Sequence, residues 1–179
     1  MTIRFSLPAC LAAALALGAC KNNEAVEFAN ATRLGFGAGV DYTETDPDGA
    51  DVTDATRVYG GVDFGHRLNG NLELGALVGL ESADTPGDRT NSGKLGPQMR
   101  YYLRETGSVQ PWLAAAVGFG GSDAGGDSNG YAFASAGGGI SFFASKWVAI
   151  ETKLYYEHEN YDDFDKNGIR LALGISTFF

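Results

Sequence analysis

Apolar side chains recur at every second position along most of this chain, the period of a strand and not the 3.6-residue period of a helix. The final segment is the plainest case. Ile169, Leu171, Leu173, Ile175, Thr177 and Phe179 share one parity, and Gly168, Arg170, Ala172, Gly174 and Ser176 share the other. Seven earlier segments follow the same rule. Residues 33–42 set Leu34, Phe36, Ala38, Val40 and Tyr42 against Arg33, three glycines and Asp41; residues 57–65 set Val58, Val62 and Phe64 against Arg57, Tyr59 and Asp63. Residues 72–81 oppose Leu72, Leu74, Ala76, Val78 and Leu80 to Glu73, Leu77 and Glu81. Residues 94–104 oppose Leu95, Met99, Tyr101 and Leu103 to Lys94, Gln98, Arg100, Tyr102 and Arg104. In residues 109–120 the apolar set is Leu113, Ala115, Val117 and Phe119, and in residues 147–157 it is Val148, Ile150, Leu154 and Tyr156. Residues 131–143 are ambiguous, because Ala and Gly occupy both parities until Ile140 and Phe142.

Eight strands result, and their connections alternate in character. Residues 68–71 carry an Asn-Gly hairpin signal, and residues 105–108 and 144–146 are equally short. Residues 43–55, 82–92, 121–129 and 158–166 are longer and polar, so they are expected to form loops at the opposite end. The pattern therefore predicts an all-β fold, an eight-stranded antiparallel up-and-down β-barrel.

Period two alone does not say which face meets water, since a soluble lipocalin-like barrel would carry its apolar parity inward. Composition argues for a membrane. The chain holds 26 glycines, and many sit on the polar parity, where they weaken a solvent-facing strand without return but make room for Arg, Tyr and Trp inside a narrow barrel. Aromatics on the apolar parity gather near strand ends, with Phe64, Tyr101, Phe142 and Phe179 towards the short turns and Tyr42, Phe119 and Tyr156 towards the polar loops. Two such girdles mark two membrane interfaces, and short turns facing long loops are the asymmetry of a transmembrane barrel.

The first residues read as an export signal. Arg4 precedes an apolar stretch from Phe5 to Ala19 that is too short to span a bilayer and ends in small residues suited to cleavage. Leu17-Gly18-Ala19-Cys20 resembles a bacterial lipobox, which implies lipidation at Cys20; the alternative is an ordinary cleavage site beside a cysteine. Cys10 lies in the segment to be removed, so the exported chain has no second thiol for a disulfide. The expected organisation is a signal peptide over residues 1–19, a lipid-anchored periplasmic linker over 20–31 and the barrel over 32–179.

The terminal strand ending in Phe179 resembles the closing strand of bacterial outer-membrane barrels. The runs Leu95-Gly96-Pro97-Gln98-Met99-Arg100-Tyr101-Tyr102-Leu103 and Val109-Gln110-Pro111-Trp112-Leu113, with Gly118-Phe119-Gly120, are similar to small outer-membrane proteins of the OmpA-like and opacity-protein-like barrel group. That resemblance covers residues 32–179. It implies an outer-membrane location in a Gram-negative bacterium with both termini periplasmic, contact with membrane lipid and lipopolysaccharide, and insertion by the barrel-assembly machinery, which reads the terminal Phe179. It implies no particular activity. The lipobox is a departure from the group, whose barrels usually carry plain signal peptides.

Charges fall into place on this map. Basic residues on the polar parity (Arg33, Arg57, Lys94, Arg100, Arg104, Lys153, Arg170) nearly balance the acids there (Asp41, Asp63, Glu73, Glu81, Glu151, Glu157), which predicts a lumen filled by ion pairs. Arg100 and Arg170 are the candidate partners of Glu73, Glu81 or Glu151. The net charge of −9 belongs mostly to the loops, where Asp46, Asp48 and Asp51, and then Asp163 and Asp165, form weak divalent-cation candidates; the alternative is a merely solvated acidic rim. An acidic chain without a basic patch does not favour nucleic acid.

Catalytic constellations are poor. Some outer-membrane deacylases pair a His with a Ser two residues on, but Asn160 follows His158, and His66 lies at the other end. The string Asp163, Asp165, Asn167, Gly168 matches half an EF-hand loop, yet Gly174 stands where a bidentate Glu is required. No cofactor or dedicated metal site is implied. The expected role is that of a non-porin, structural or surface-interacting outer-membrane barrel. A soluble periplasmic barrel lipoprotein for a small apolar ligand, and a membrane-lipid-modifying enzyme, are the alternatives.

Overall fold

The computed structural model describes residues 30–47, 53–85, 88–124 and 127–179. Eight strands follow one another: β1 (Thr32–Pro47), β2 (Thr53–Arg67), β3 (Leu72–Thr85), β4 (Asp88–Tyr102), β5 (Val109–Ala124), β6 (Asp127–Ser145), β7 (Val148–Tyr161) and β8 (Phe164–Phe178). Each pairs antiparallel with the next, and β1 pairs with β8, so the sheet closes on itself without a free edge. At the seam Thr32 and Phe179 exchange both backbone hydrogen bonds, at 2.8 and 2.9 Å. Closure satisfies the backbone polar groups within the sheet, which hydrocarbon demands of any spanning element.

The apolar parity faces outward. Phe36, Leu74, Val78, Leu95, Leu113, Val117, Leu154, Leu171, Leu173 and Ile175 are all exposed on the barrel's outer wall. A soluble lipocalin-like barrel requires the reverse, so that alternative is overturned. Phe64, Tyr101 and Phe179 stand exposed near one end of this belt and Tyr42, Phe119 and Tyr156 near the other, with Phe142 half-buried. From Leu72 to Leu80 the belt rises eight residues along β3. With about 3.3 Å per residue and a tilt of roughly 40°, that is about 20 Å of height, close to the apolar band of known transmembrane barrels.

The expected long loops are mostly strand. Residues 43–55, 82–92, 121–129 and 158–166 give most of their length to β1 through β8, so the barrel wall continues beyond the outer girdle. The physical reason lies in the pattern itself. Period two exists only where one face meets hydrocarbon, and above the bilayer both faces can be polar without ceasing to be strand. Among the described residues, the connection left at that end is 162–163, between β7 and β8. A second correction concerns β4, which ends at Tyr102, so Arg104 lies exposed in the following turn and not in the lumen. That turn contains Gly107 with a φ of 112°, a left-handed value that glycine adopts without steric cost.

The turn between β2 and β3 is built as its sequence suggests. The Asn69 carboxamide oxygen accepts hydrogen bonds from the backbone of Asn71 (2.9 Å) and Leu72 (2.8 Å). Between β6 and β7 the register shifts at Phe143 and Ser145. Interior glycines make the room expected of them. A Cβ on Gly139 would lie 2.5 Å from the Trp112 ring, and one on Gly65 would lie 2.1 Å from a Glu73 carboxylate oxygen.

Candidate functional site

The lumen is the most elaborate part of the molecule. Arg33 and Glu73 face inward from β1 and β3, Asp63 from β2, Arg100 from β4, and Glu151 with Lys153 from β7; all six are buried. The Arg100 guanidinium donates to Glu151 at 2.8 Å and to Asp63 at 3.1 Å, and lies 4.0 Å from Glu73. Arg33 pairs with Glu73 at 2.8 Å and with Asp63. Lys153 reaches Asp63 at 2.7 Å and Glu151 at 3.2 Å. Three carboxylates thus face three cations, and neutral groups finish the network. The Tyr102 hydroxyl donates to Glu73 (3.0 Å), the Trp112 indole N–H to Ser141 (3.0 Å), and Ser141 to Glu151 (2.9 Å). Arg100 also stacks 3.9 Å from the Trp112 ring centroid.

A second cluster lies towards the acidic end. Arg170 donates to Asp41 at 2.9 Å, to Glu157 at 3.1 Å and to Glu81, while Lys94 holds Glu81 at 2.9 Å and also pairs with Glu157. Tyr59 lies under the Arg170 guanidinium, 4.2 Å away. At the mouth above, Lys166 pairs with Glu159 at 2.5 Å, and Tyr161 donates to Glu159 at 3.1 Å. Burial first, and then the Glu159 carboxylate, push the Tyr161 phenol above its ordinary range, so it stays a donor at physiological pH. Tyr131 and Phe164 stack on Tyr161 at 4.8 and 4.3 Å. Between the two clusters lies a cavity of about 30 Å³, bordered by Asp63, Lys94, Lys153, Glu157 and Arg170.

The opposite mouth is apolar inside. Phe143, Ala149 and Phe178 are buried together, with the Phe143 and Phe178 rings 5.0 Å apart and Ala31 packed against them. Arg67 stacks 3.5 Å from the Tyr102 ring centroid and donates to Gln110 at 2.8 Å.

Of the residues singled out from sequence, Arg100, Glu73 and Glu151 meet in the first cluster, and Arg170 and Glu81 in the second. Sequence reasoning missed Glu159, Lys166 and Arg67. The first two lie in a segment whose composition reads as loop, yet Glu159 continues the inward parity of Glu151 and Glu157, and Lys166 that of Arg170. Phe179 is exposed at the seam. Cys20, the expected signal peptide and the linker up to residue 29 lie outside the described residues, as do Asp48 and Asp51. Asp46 is the β1 partner of Asp165 on β8. Asp165 accepts from Asn160 at 2.6 Å, and Asp163 is exposed in the turn before β8.

Among the described residues, one group of acids has oxygens close enough for a metal ion: Glu81, Glu157 and Glu159. Lys94, Arg170 and Lys166 already neutralise it. His158 faces outward at the rim, where its ring nitrogen Nδ1 lies 3.0 Å from the Asn167 carboxamide oxygen, which also accepts from Tyr156 at 2.7 Å. Asn160, beside it, brings no nucleophile.

No family model and no curated protein matches this chain in sequence. Solved structures do match in fold. Neisserial surface protein A is similar over 82% of this chain and 97% of its own, at 14% identity and a TM-score of 0.68. The attachment invasion locus protein Ail of Yersinia pestis covers 84% of this chain and 99% of its own, at 12% identity and a TM-score of 0.57, and has also been solved with the heparin analogue sucrose octasulfate. The outer membrane protein OprG of Pseudomonas aeruginosa covers 86% of this chain and 97% of its own, at 10% identity and a TM-score of 0.52. The chain has the fold of the small eight-stranded outer-membrane barrels.

Proposed function

We propose that this chain is an outer-membrane barrel of a Gram-negative bacterium with a structural or surface-interacting role, neither a porin nor an enzyme. The filled lumen carries that reading. Two ion-pair clusters and the Trp112, Tyr102 and Tyr59 rings occupy the interior, and the cavity between them, about 30 Å³, has room for little more than a water molecule. Both ends of the barrel sequence, Thr32 and Phe179, emerge beside each other at the short-turn end, which is the periplasmic side in this reading.

The other end is where partners would meet the protein. In the sequence, residues 43–56 carry five acids and no base, and among the described residues Glu44, Asp123, Asp162, Asp163 and Asp165 are exposed at this end of the barrel. A polyanion such as the sulfated ligand of the Ail complex would meet like charge here. The rim suits cationic surfaces, or anionic lipopolysaccharide bridged by divalent ions.

Planar-bilayer recordings test the reading, with a gel comparing boiled and unboiled samples to show that the barrel is folded. The folded protein should shift on boiling and give no steady porin-size conductance. Steady porin-size currents from heat-modifiable protein would overturn it.

A further inference from the structure

Gln98, Ala116 and Ser135 are register partners in one row across β4, β5 and β6, and they line the cavity between the two lumen clusters together with Lys94, Lys153 and Arg170. Ala116 and Ser135 are too small to fill the interior at that height, which leaves a volume of about 30 Å³. Gln98 and Ser135 are exposed by only 8% and 9%, and neither side chain has a hydrogen-bond partner among the described residues. Arg170, on the same cavity, has a buried Nε–H without an acceptor. Buried polar groups are nearly always paired, so three around one small volume point to something bound there.

The carboxylates bordering the cavity are already engaged. Asp63 takes Lys153 on one oxygen and Arg33 with Arg100 on the other, while Glu157 takes Lys94 and Arg170 on one oxygen and Arg170 again on the other. Lys94 and Lys153 each hold two carboxylates, which leaves each ammonium a third proton. With the Gln98 amide, the Ser135 hydroxyl and the Arg170 Nε–H, the hydrogen-bonding capacity left over is mostly that of donors. Charge points the same way. The lumen buries seven acids and seven bases, and Arg57, 4.0 Å from Glu81 with its side chain 14% exposed, is an eighth base. Among the described residues the lumen is therefore one negative charge short.

We propose that this cavity binds one monatomic anion, a halide such as chloride, on Lys94, Lys153, Arg170, Gln98 and Ser135. A buried anion is tolerated only where cations and hydrogen-bond donors converge on it, and here both do. The volume leaves no room for phosphate or sulfate. Water is the occupant of similar size, but it must also donate two protons, and every carboxylate oxygen of Asp63 and Glu157 already accepts from a cation. The inference concerns the interior alone and holds whatever the outer rim meets.

Crystals of the detergent-folded barrel grown in sodium bromide give the first test. Anomalous scattering should place one bromide in the cavity, and water alone there would overturn the proposal. In solution, replacing about 0.1 M sodium gluconate by sodium chloride should raise the folded-to-unfolded ratio at fixed urea by about ten-fold, as a site with a Kd of about 10 mM requires. Bromide in the crystal without that effect would be binding at crystal concentration only and would overturn it too. Gln98→Glu supplies the missing negative charge from the chain itself and should abolish both the bromide peak and the chloride effect. Ser135→Ala, a smaller change, removes one donor and should weaken the chloride effect without abolishing it. A chloride effect of undiminished size in Ser135→Ala or in Gln98→Glu would place the anion elsewhere and overturn the assignment.

Discussion

Arg100 and Glu151, which are 51 positions apart in the chain, meet at 2.8 Å inside the barrel, and neither side chain touches solvent. A buried pair of this kind is costly to break from one side, because the survivor is left charged in a poor dielectric. Replacing Glu151 by Gln should therefore destabilise the folded barrel by about 3–5 kcal/mol, and Arg100→Met should do about the same. The double variant Arg100→Met with Glu151→Gln should cost less than the sum of the two. Urea unfolding in detergent micelles measures all three, and additive losses would show the pair to be uncoupled.

Phe179 exchanges two backbone hydrogen bonds with Thr32 and is exposed at the short-turn end of the barrel. Deleting it removes both the seam's last pair and the terminal aromatic. The amount of heat-modifiable barrel recovered from outer membranes should fall, while the total expressed chain need not. Unchanged recovery would separate the terminal residue from assembly.

Lipidation at Cys20 is compatible with the orientation proposed for the barrel, with both termini on the short-turn side. The twelve residues from Cys20 to Thr32 can span at most roughly 40 Å, enough to reach the inner leaflet of the same membrane from the start of β1. Intact mass of the mature protein should show an acylated residue 20 as its first. An unmodified amino terminus with no acyl mass refutes it.

Asp46 and Asp165 are register partners across the β1–β8 seam, and Asp165 is exposed beside the exposed Asp162 and Asp163. Calcium at millimolar concentration should shift rim amide resonances more than sodium chloride of equal ionic strength does, and Asp165→Asn should reduce that excess. If the two salts act alike, the rim is a solvated cluster.

How far the chain could be read depended on where hydrocarbon touches it. Leu72, Leu74, Val78 and Leu80 face lipid while Glu73 and Glu81 face the lumen, and that contrast prints a period of two on the sequence. Beyond Tyr156 the outer wall meets water as well, the contrast disappears, and the sequence around Glu159 reads as loop although its backbone continues β7. The lumen's inventory was legible for the same reason as the strands. Its pairings were not, because which carboxylate meets Arg100 depends on the stagger of β2, β3 and β7 around the barrel. The apolar plug of Phe143 and Phe178 left no signal at all, since each sits beside a second phenylalanine of the opposite parity.

That doubled ending has a bearing on how the cylinder finds its correct closure. Sliding β8 by a single residue would merely exchange the places of Phe178 and Phe179, so the terminal rings do little to distinguish right from wrong. The same slip would turn Arg170 out of its nest of Asp41, Glu81 and Glu157 into the bilayer, at a penalty of about 2–4 kcal/mol if it came to rest near the midplane, and would leave Lys94 to hold Glu81 and Glu157 while Asp41 lost its cation. Proofreading of the last seam thus falls to a charge in the middle of β8, nine residues before Phe179.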